Sequence, residues 1–180
     1  MAQKTRDKIL TTAEKLIMQT GNTDVTLDQI ASELGLSHAA LYKHFRNKQA
    51  LWEAVASTWF YREIIQQISI STDKSSKEQL HDWLWDFVNA KKNTFNNNPR
   101  MFALNTEYID NNPVALHNVL ISAYQQINSI MDYSDDNFEK SEIILAAFSI
   151  FTLPNFKGTW NDPNYDKRFE MLWDLIKEGL

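Results

Sequence analysis

The chain has 180 residues, 43% hydrophobic and 12% aromatic, with a formal charge of −5 and no cysteine. That length holds one ordinary domain and a small second one, and the lack of cysteine excludes disulfides, thiolate metal sites and thiol redox sensing. Only four glycines and four prolines occur, far below the roughly 12% of ordinary usage. With no alternating pattern between glycine-rich turns, the chain reads as all-α.

The N-terminus, MAQKTRDKIL, lacks the hydrophobic region of a signal peptide. The longest apolar run, Ile143 to Leu153, is too short to span a bilayer and suits a buried helix. The expectation is a cytoplasmic protein with no membrane partner. Charge is unevenly spread. Residues 1–56 carry seven Lys/Arg and six Asp/Glu, hence +1, and residues 57–180 carry eleven and seventeen, hence −6.

In chain order, Ile9, Leu10, Ala13, Leu16 and Ile17 mark a first helix over 5–19, with Gly21 just beyond it. Lys4 and Arg6 at its start either approach a phosphate or are simply solvated. Thr26 and Gln29 form a capping-box pattern, and Leu27, Ile30, Ala31 and Leu34 recur at helical spacing. Gly35 suits a left-handed helix end. Ser37 caps another helix, His38 to about Phe45. Leu36, Leu41 and Phe45 turn inward there, leaving His38, Ala39, Tyr42, Lys43 and His44 accessible. Two helices joined by a glycine-containing turn make a helix-turn-helix, whose second helix can enter a DNA major groove. The first helix completes a three-helix head.

Asn47 caps a fourth helix predicted to run to about Ile70. Leu51, Val55, Trp59 and Arg62 lie on one stripe, with Trp52 and Phe60 on others. After the polar break Thr72–Ser76, a helix begins at Ser75 or Ser76. Both Glu78 and Gln79 satisfy the capping-box spacing, and Leu80, Trp83, Leu84, Phe87, Val88 and Lys91 share a face. Three prolines follow Asn or Asp and read as helix openers. Pro99, with Asn98 as cap, opens a segment through about Asp110; Pro113 opens one through about Met131; Pro163 opens the last, through Lys177. Another helix runs from about Asp136 to Leu153 and is ended by Pro154, with an irregular loop over 154–162. This gives about nine helices, divided into a head over 1–50 and a second domain over 51–180.

The run LSHAALYKHFRNKQAL resembles the recognition-helix signature of the tetracycline-repressor (TetR) family, through Leu41-Tyr42, His44-Phe45, Asn47-Lys48 and Leu51. Upstream, ILTTAEKLIMQTG and VTLDQIASELGLS fit the same pattern. The resemblance covers about the first 55 residues; the rest agrees only in length and helical character. It implies a DNA-binding head, with Tyr42, His44 and Lys48 as phosphate contacts. His38, Ala39, Ala40 and Lys43 are the candidates for base edges. Lys donates to guanine, His donates or accepts, and an alanine methyl touches a thymine methyl. Thr26 and Ser37, as N-caps, place helix N-termini where phosphate oxygens can sit. With a head charge of +1, local phosphate contacts are expected rather than a broad cationic face.

The family also implies a small-molecule effector pocket in helices four to seven. Its candidate lining here is Trp59, Arg62, Trp83, Phe87, Phe102, Asn105, Glu107, Tyr108, His117 and Tyr124, although aromatic stripes at this spacing also serve as plain core. Ile144, Phe148, Phe151, Phe169, Leu172, Trp173 and Ile176 put more apolar surface on the two C-terminal helices than one small domain covers. They are the candidates for a homodimer face, and the family pairs these helices as a four-helix bundle. No cofactor or metal is expected and no enzyme, because His81 and His117 fit no metal-ligand spacing and no glycine-rich phosphate loop exists. The reading is a homodimeric repressor of a near-palindromic double-stranded operator, released by an effector. An activator or ligand-independent regulator with the same head, or a small-molecule binding module with a vestigial head, are the alternatives.

Overall fold

The computed structural model describes residues 2–20 and 25–180, so Gly21 lies outside the described residues. Among those described there is no strand. The α-helices are α1 (Ala2–Thr20), α2 (Leu27–Leu34), α3 (His38–Tyr42), α4 (Lys48–Glu63), α5 (Ser76–Asn97), α6 (Pro99–Asn105), α7 (Pro113–Met131), α8 (Glu139–Ala147), α9 (Ser149–Thr152) and α10 (Tyr165–Ile176). The chain folds as two compact units. One takes Met1–Phe60 with Asn98–Leu116, the other Tyr61–Asn97 with His117–Leu180.

In the first unit, α1 buries Ile9, Leu10, Ala13 and Ile17. The α2 capping box forms: the Gln29 N–H donates to Thr26 Oγ1 at 3.2 Å, and the Thr26 N–H donates to Gln29 Oε1 at 2.7 Å. Gly35 takes φ +62°, which lets the Leu36 N–H reach back to the Ala31 carbonyl at 2.9 Å. That bond satisfies a carbonyl the helix end would otherwise strand. Lys15 on α1 pairs with Glu33 on α2 at 3.0 Å.

Helix α3 ends at Tyr42, short of Phe45. The Leu41 carbonyl accepts from both His44 and Phe45, at 2.9 and 3.2 Å, and the chain turns out of the helix there. The turn brings Phe45 into the core, only 4% exposed. Asn47 caps α4 as expected, its Oδ1 accepting from the Ala50 N–H at 2.8 Å. Asn98 does not cap α6 with its side chain. Its Oδ1 is buried without a hydrogen-bond partner, while its carbonyl accepts from Phe102 at 2.9 Å. Helix α6 packs on α1, and Arg100 donates to the Met18 carbonyl. The segment after α6 winds into a π-helical turn, Thr106–Asp110.

In the second unit, α4 stops at Glu63, seven residues before Ile70. Ile64, Ile65, Ile68 and Ile70 are β-branched and stiff at χ1, the chain passes into a 3₁₀ turn over Ile65–Gln67, and the Gln67 amide takes the Arg62 carbonyl at 2.9 Å. Ser75, rather than Ser76, caps α5. It exchanges bonds with Glu78 at 3.0 Å (backbone N–H to Oε2) and 3.4 Å (Glu78 N–H to Ser75 Oγ).

The helix expected over 136–153 starts late and breaks once. The Asp135 carboxylate accepts from the Asn137 and Lys140 N–H groups, so α8 begins at Glu139. The break falls at Phe148, between α8 and α9. The Ile150 carbonyl would meet position 154, but Pro154 has no N–H, and the Trp160 indole donates to it instead at 3.0 Å. The stretch expected as a loop coils into a 3₁₀ helix, Pro154–Thr159. Helix α10 starts two residues after Pro163, with no side-chain cap. Phe148, Phe151, Tyr165 and Phe169 form the aromatic core of this unit, with ring centroids 5.2–5.9 Å apart for Phe148–Phe169, Phe151–Tyr165 and Phe151–Phe169.

A Cβ added at Gly35 meets nothing within 4 Å, so only the backbone conformation opposes it. Gly35→Ala is expected to lower stability by about 1 kcal/mol, measured by denaturant unfolding. An unchanged midpoint would remove Gly35 as the determinant of this turn.

Candidate nucleic-acid interface

The recognition helix is fixed from beneath. Leu41 is fully buried and Phe45 nearly so, while Ser37, His38, Ala39, Tyr42, Lys43 and Lys48 are exposed and Ala40 and His44 half-buried. Ser37 Oγ accepts from the Ala40 N–H at 3.2 Å. Thr26 and Ser37 thus use hydroxyl oxygen as cap acceptors, which leaves each hydroxyl proton able to donate to another acceptor. Tyr42 is 42% exposed and meets the His38 ring edge to face, centroids 4.9 Å apart. Arg6 lies over the Phe45 ring at 4.9 Å, a cation–π contact that engages its guanidinium within the head.

One residue of this face escaped sequence reasoning. Asp28, in the first turn of α2, sits with Oδ1 3.4 Å from His38 Nε2. The sequence marks Asp28 only as an acid near a helix N-terminus, favourable to the dipole. Its partner is ten positions away, and only the turn geometry brings the two together.

In the first unit Trp59 and Phe102 are buried and Asn105 fully so. Asn105 Nδ2 donates to Asp110 at 3.0 Å, but its Oδ1 and the indole Nε1 of Trp59 have no hydrogen-bond partner. Trp52 Nε1, one face away from notice in the sequence, is in the same condition. Glu107 is exposed and Tyr108 half-buried; burial first, then Glu107, pushes the Tyr108 phenol up to about 12.

In the second unit Arg62 pairs with Glu63 at 2.7 Å. Trp83 stacks on Phe87 at 5.2 Å and donates to Gln126 Oε1 at 2.6 Å. His117 is exposed, with Nδ1 4.0 Å from Glu142 and its ring 5.7 Å from that of Tyr124. Tyr124 is buried, and burial first, then Glu142, pushes its phenol up to about 12. The structure therefore brings together Trp83 with Phe87 and His117 with Tyr124.

Of the dimer candidates, Ile144, Phe148, Phe151, Phe169 and Trp173 are buried within the subunit, and Leu172 and Ile176 are half-buried. A helical stripe does not say which neighbour covers it. The apolar side chains left free on these helices are Ile143, Met171 and Leu175, exposed by 70, 56 and 81%. A cleft of about 370 Å³ lies between the start of α5 and the end of α10, lined by Lys74, His81, Asp82, Trp173 and Lys177 among others. Lys74 pairs with Asp82, His81 with Asp82 and Glu170, and Lys177 with Asp174. Among the described residues no group of three or more His, Cys, Asp or Glu is placed to hold a metal. No described helix is long and apolar enough to cross a membrane.

Residues 9–55 match the family model described as bacterial regulatory proteins, tetR family. The head over these residues is thus that of the tetR family of regulators. The matched stretch takes in the caps, the Gly35 turn and the whole reading face. The negative transcriptional regulator IcaR of the icaADBC biofilm operon in Staphylococcus aureus (strain Newman) is 30% identical over 84 residues, covering 46% of this chain and 45% of IcaR. The chain thus spans about half the length of the curated relatives it matches first.

Among solved structures, a TetR transcriptional regulator from Rhodococcus sp. RHA1 superposes with a TM-score of 0.68 at 17% identity, covering 98% of this chain and 97% of that one. BioQ, solved with its double-stranded DNA operator, superposes with a TM-score of 0.61 at 20% identity, covering 96% and 98%. These likenesses establish a shared fold over nearly the full chain.

Tyr124 gives a pH signature. Its neutral form is favoured in the folded state, so its contribution is fully present below pH 10 and is lost as pH rises from 10 to about 12. Denaturant titrations across that window should show stability falling, and Tyr124→Phe should fall less. Equal slopes in the two proteins would assign the loss to other groups.

Proposed function

We propose that this TetR-family chain is a DNA-binding transcriptional regulator, a homodimeric cytoplasmic repressor released from its operator by a small-molecule effector. The observation that carries this reading is the exposed face of α3. A helix held from below by Leu41 and Phe45 presents His38, Ala39 and Lys43 outward, with Tyr42 and Lys48 beside them. No demand of packing explains that set, and a major groove uses every member of it. The operator-bound BioQ structure and the negative regulation by IcaR support the same reading.

Two heads in a symmetric pair would read a near-palindrome from successive major grooves. An effector acts by binding one conformation of the pair more tightly than the other. The buried, unpaired Trp59 Nε1 and Asn105 Oδ1 are polar groups of the kind that orient a ligand in an otherwise apolar site. Helix α4 starts in the head-containing unit and ends in the other, which makes it the covalent lever between effector and head.

Lys48→Ala should weaken binding to all DNA sequences alike and flatten the salt dependence by about one unit of slope, read by gel shift over a salt series. An unaltered slope would take Lys48 off the phosphate contacts. Met171→Glu with Leu175→Glu should give a monomer with weak operator binding, read by sedimentation. A double variant that still sediments as a dimer would place the interface elsewhere.

A further inference from the structure

We infer that Asp28 fixes the tautomer of His38, so that His38 meets DNA as a hydrogen-bond acceptor and selects an amino-bearing base over guanine. The inference rests on the regulator reading and deepens it by naming what one position of the operator must offer. A neutral imidazole has one N–H donor and one bare nitrogen, and an ionised carboxylate only accepts. With Asp28 Oδ1 3.4 Å from His38 Nε2, Nε2 is the ring nitrogen beside the carboxylate, and a proton there is favoured by the negative charge. A proton on Nδ1 instead would set a lone pair against that negative charge. The pair therefore holds the Nε2–H form and leaves Nδ1 bare, as a neighbouring acceptor commonly does for histidine.

The ring is held from a second side by Tyr42, one turn along α3, at an interplanar angle of 81°. His38 is the first residue of α3, at the end of a recognition helix that meets base edges. Its side chain remains 49% exposed. In the major groove a bare nitrogen accepts from adenine N6 or cytosine N4, whereas guanine offers only the acceptors O6 and N7. Ala39 and Ala40 carry no polar atom beyond the backbone, so His38 and Lys43 are the polar readers of this helix face. They read opposite chemistries: Lys43 donates to guanine and His38 accepts from an amino group. Asp28 touches no base in this account; it is a positioning residue acting through His38.

The test uses the full-length protein. Long-range proton–nitrogen spectra of the histidine rings should show wild-type His38 as the Nε2–H tautomer. D28A should give a mixture, and D28N, whose amide can donate to Nε2, should move the proton toward Nδ1. A wild-type ring protonated on Nδ1 or on both nitrogens, or a ring unmoved by both substitutions, overturns the inference. Selection from a randomised duplex library then reads the base. The position under His38 is the one where H38A loses preference. There wild type should enrich adenine or cytosine, and both Asp28 variants should lose about fivefold or more of the discrimination against guanine. An Asp28 variant with wild-type base preference overturns the inference while the regulator reading stands. A wild-type protein that enriches no sequence overturns the regulator reading and the base selection with it, leaving the tautomer to the spectrum.

Discussion

The turn between α2 and α3 is the constraint on which the rest of this protein depends. Three local devices set it within twelve residues: the Thr26–Gln29 capping box, Gly35 at φ +62°, and the Ser37 cap. Each satisfies backbone groups that a short helix strands at its ends. Helices of eight and five residues are too short to hold themselves in water, so their angle is fixed by these caps and by Leu27, Ile30, Leu41 and Phe45 beneath them. The reading face is what remains above.

That face is lean. Two alanines sit on it, the N-terminal 56 residues carry a net charge of only +1, and Arg6 is engaged over Phe45. A single head of this kind gains little from counterion release. In the proposed function, a second copy at fixed spacing would supply the missing affinity, and an effector that alters the spacing would control it. On that proposal, the weaker each head is alone, the more completely a change of spacing would release the pair.

Much of the fold was legible in the sequence because its signals are local. The capping boxes at Thr26 and Ser75, the Asn47 cap and the left-handed Gly35 act within four residues and need no knowledge of tertiary contacts. The misses came where a distant partner decides. The end of the helical run at Pro154 is one such place, where the Trp160 indole gives the Ile150 carbonyl the proton that Pro154 lacks. The 3₁₀ helix over Pro154–Thr159 could not be told from a loop for the same reason. At the site, the exposed set on α3 followed from helical spacing and the family resemblance. Asp28 did not, since its role exists only once α2 and α3 are set against each other. Phe148, Phe151 and Phe169 show the converse limit: an apolar stripe says that a face is covered, and only the structure says by what.

The central claim is that this head reads a defined DNA sequence as one half of a symmetric pair. Nuclease footprinting of the full-length protein on the DNA flanking its own gene tests it most directly. The account predicts one protected, near-palindromic site whose half-sites lie about one helical turn apart, or a multiple of that. Uniform cleavage along the fragment, at protein concentrations that already retard it in a gel, would contradict it.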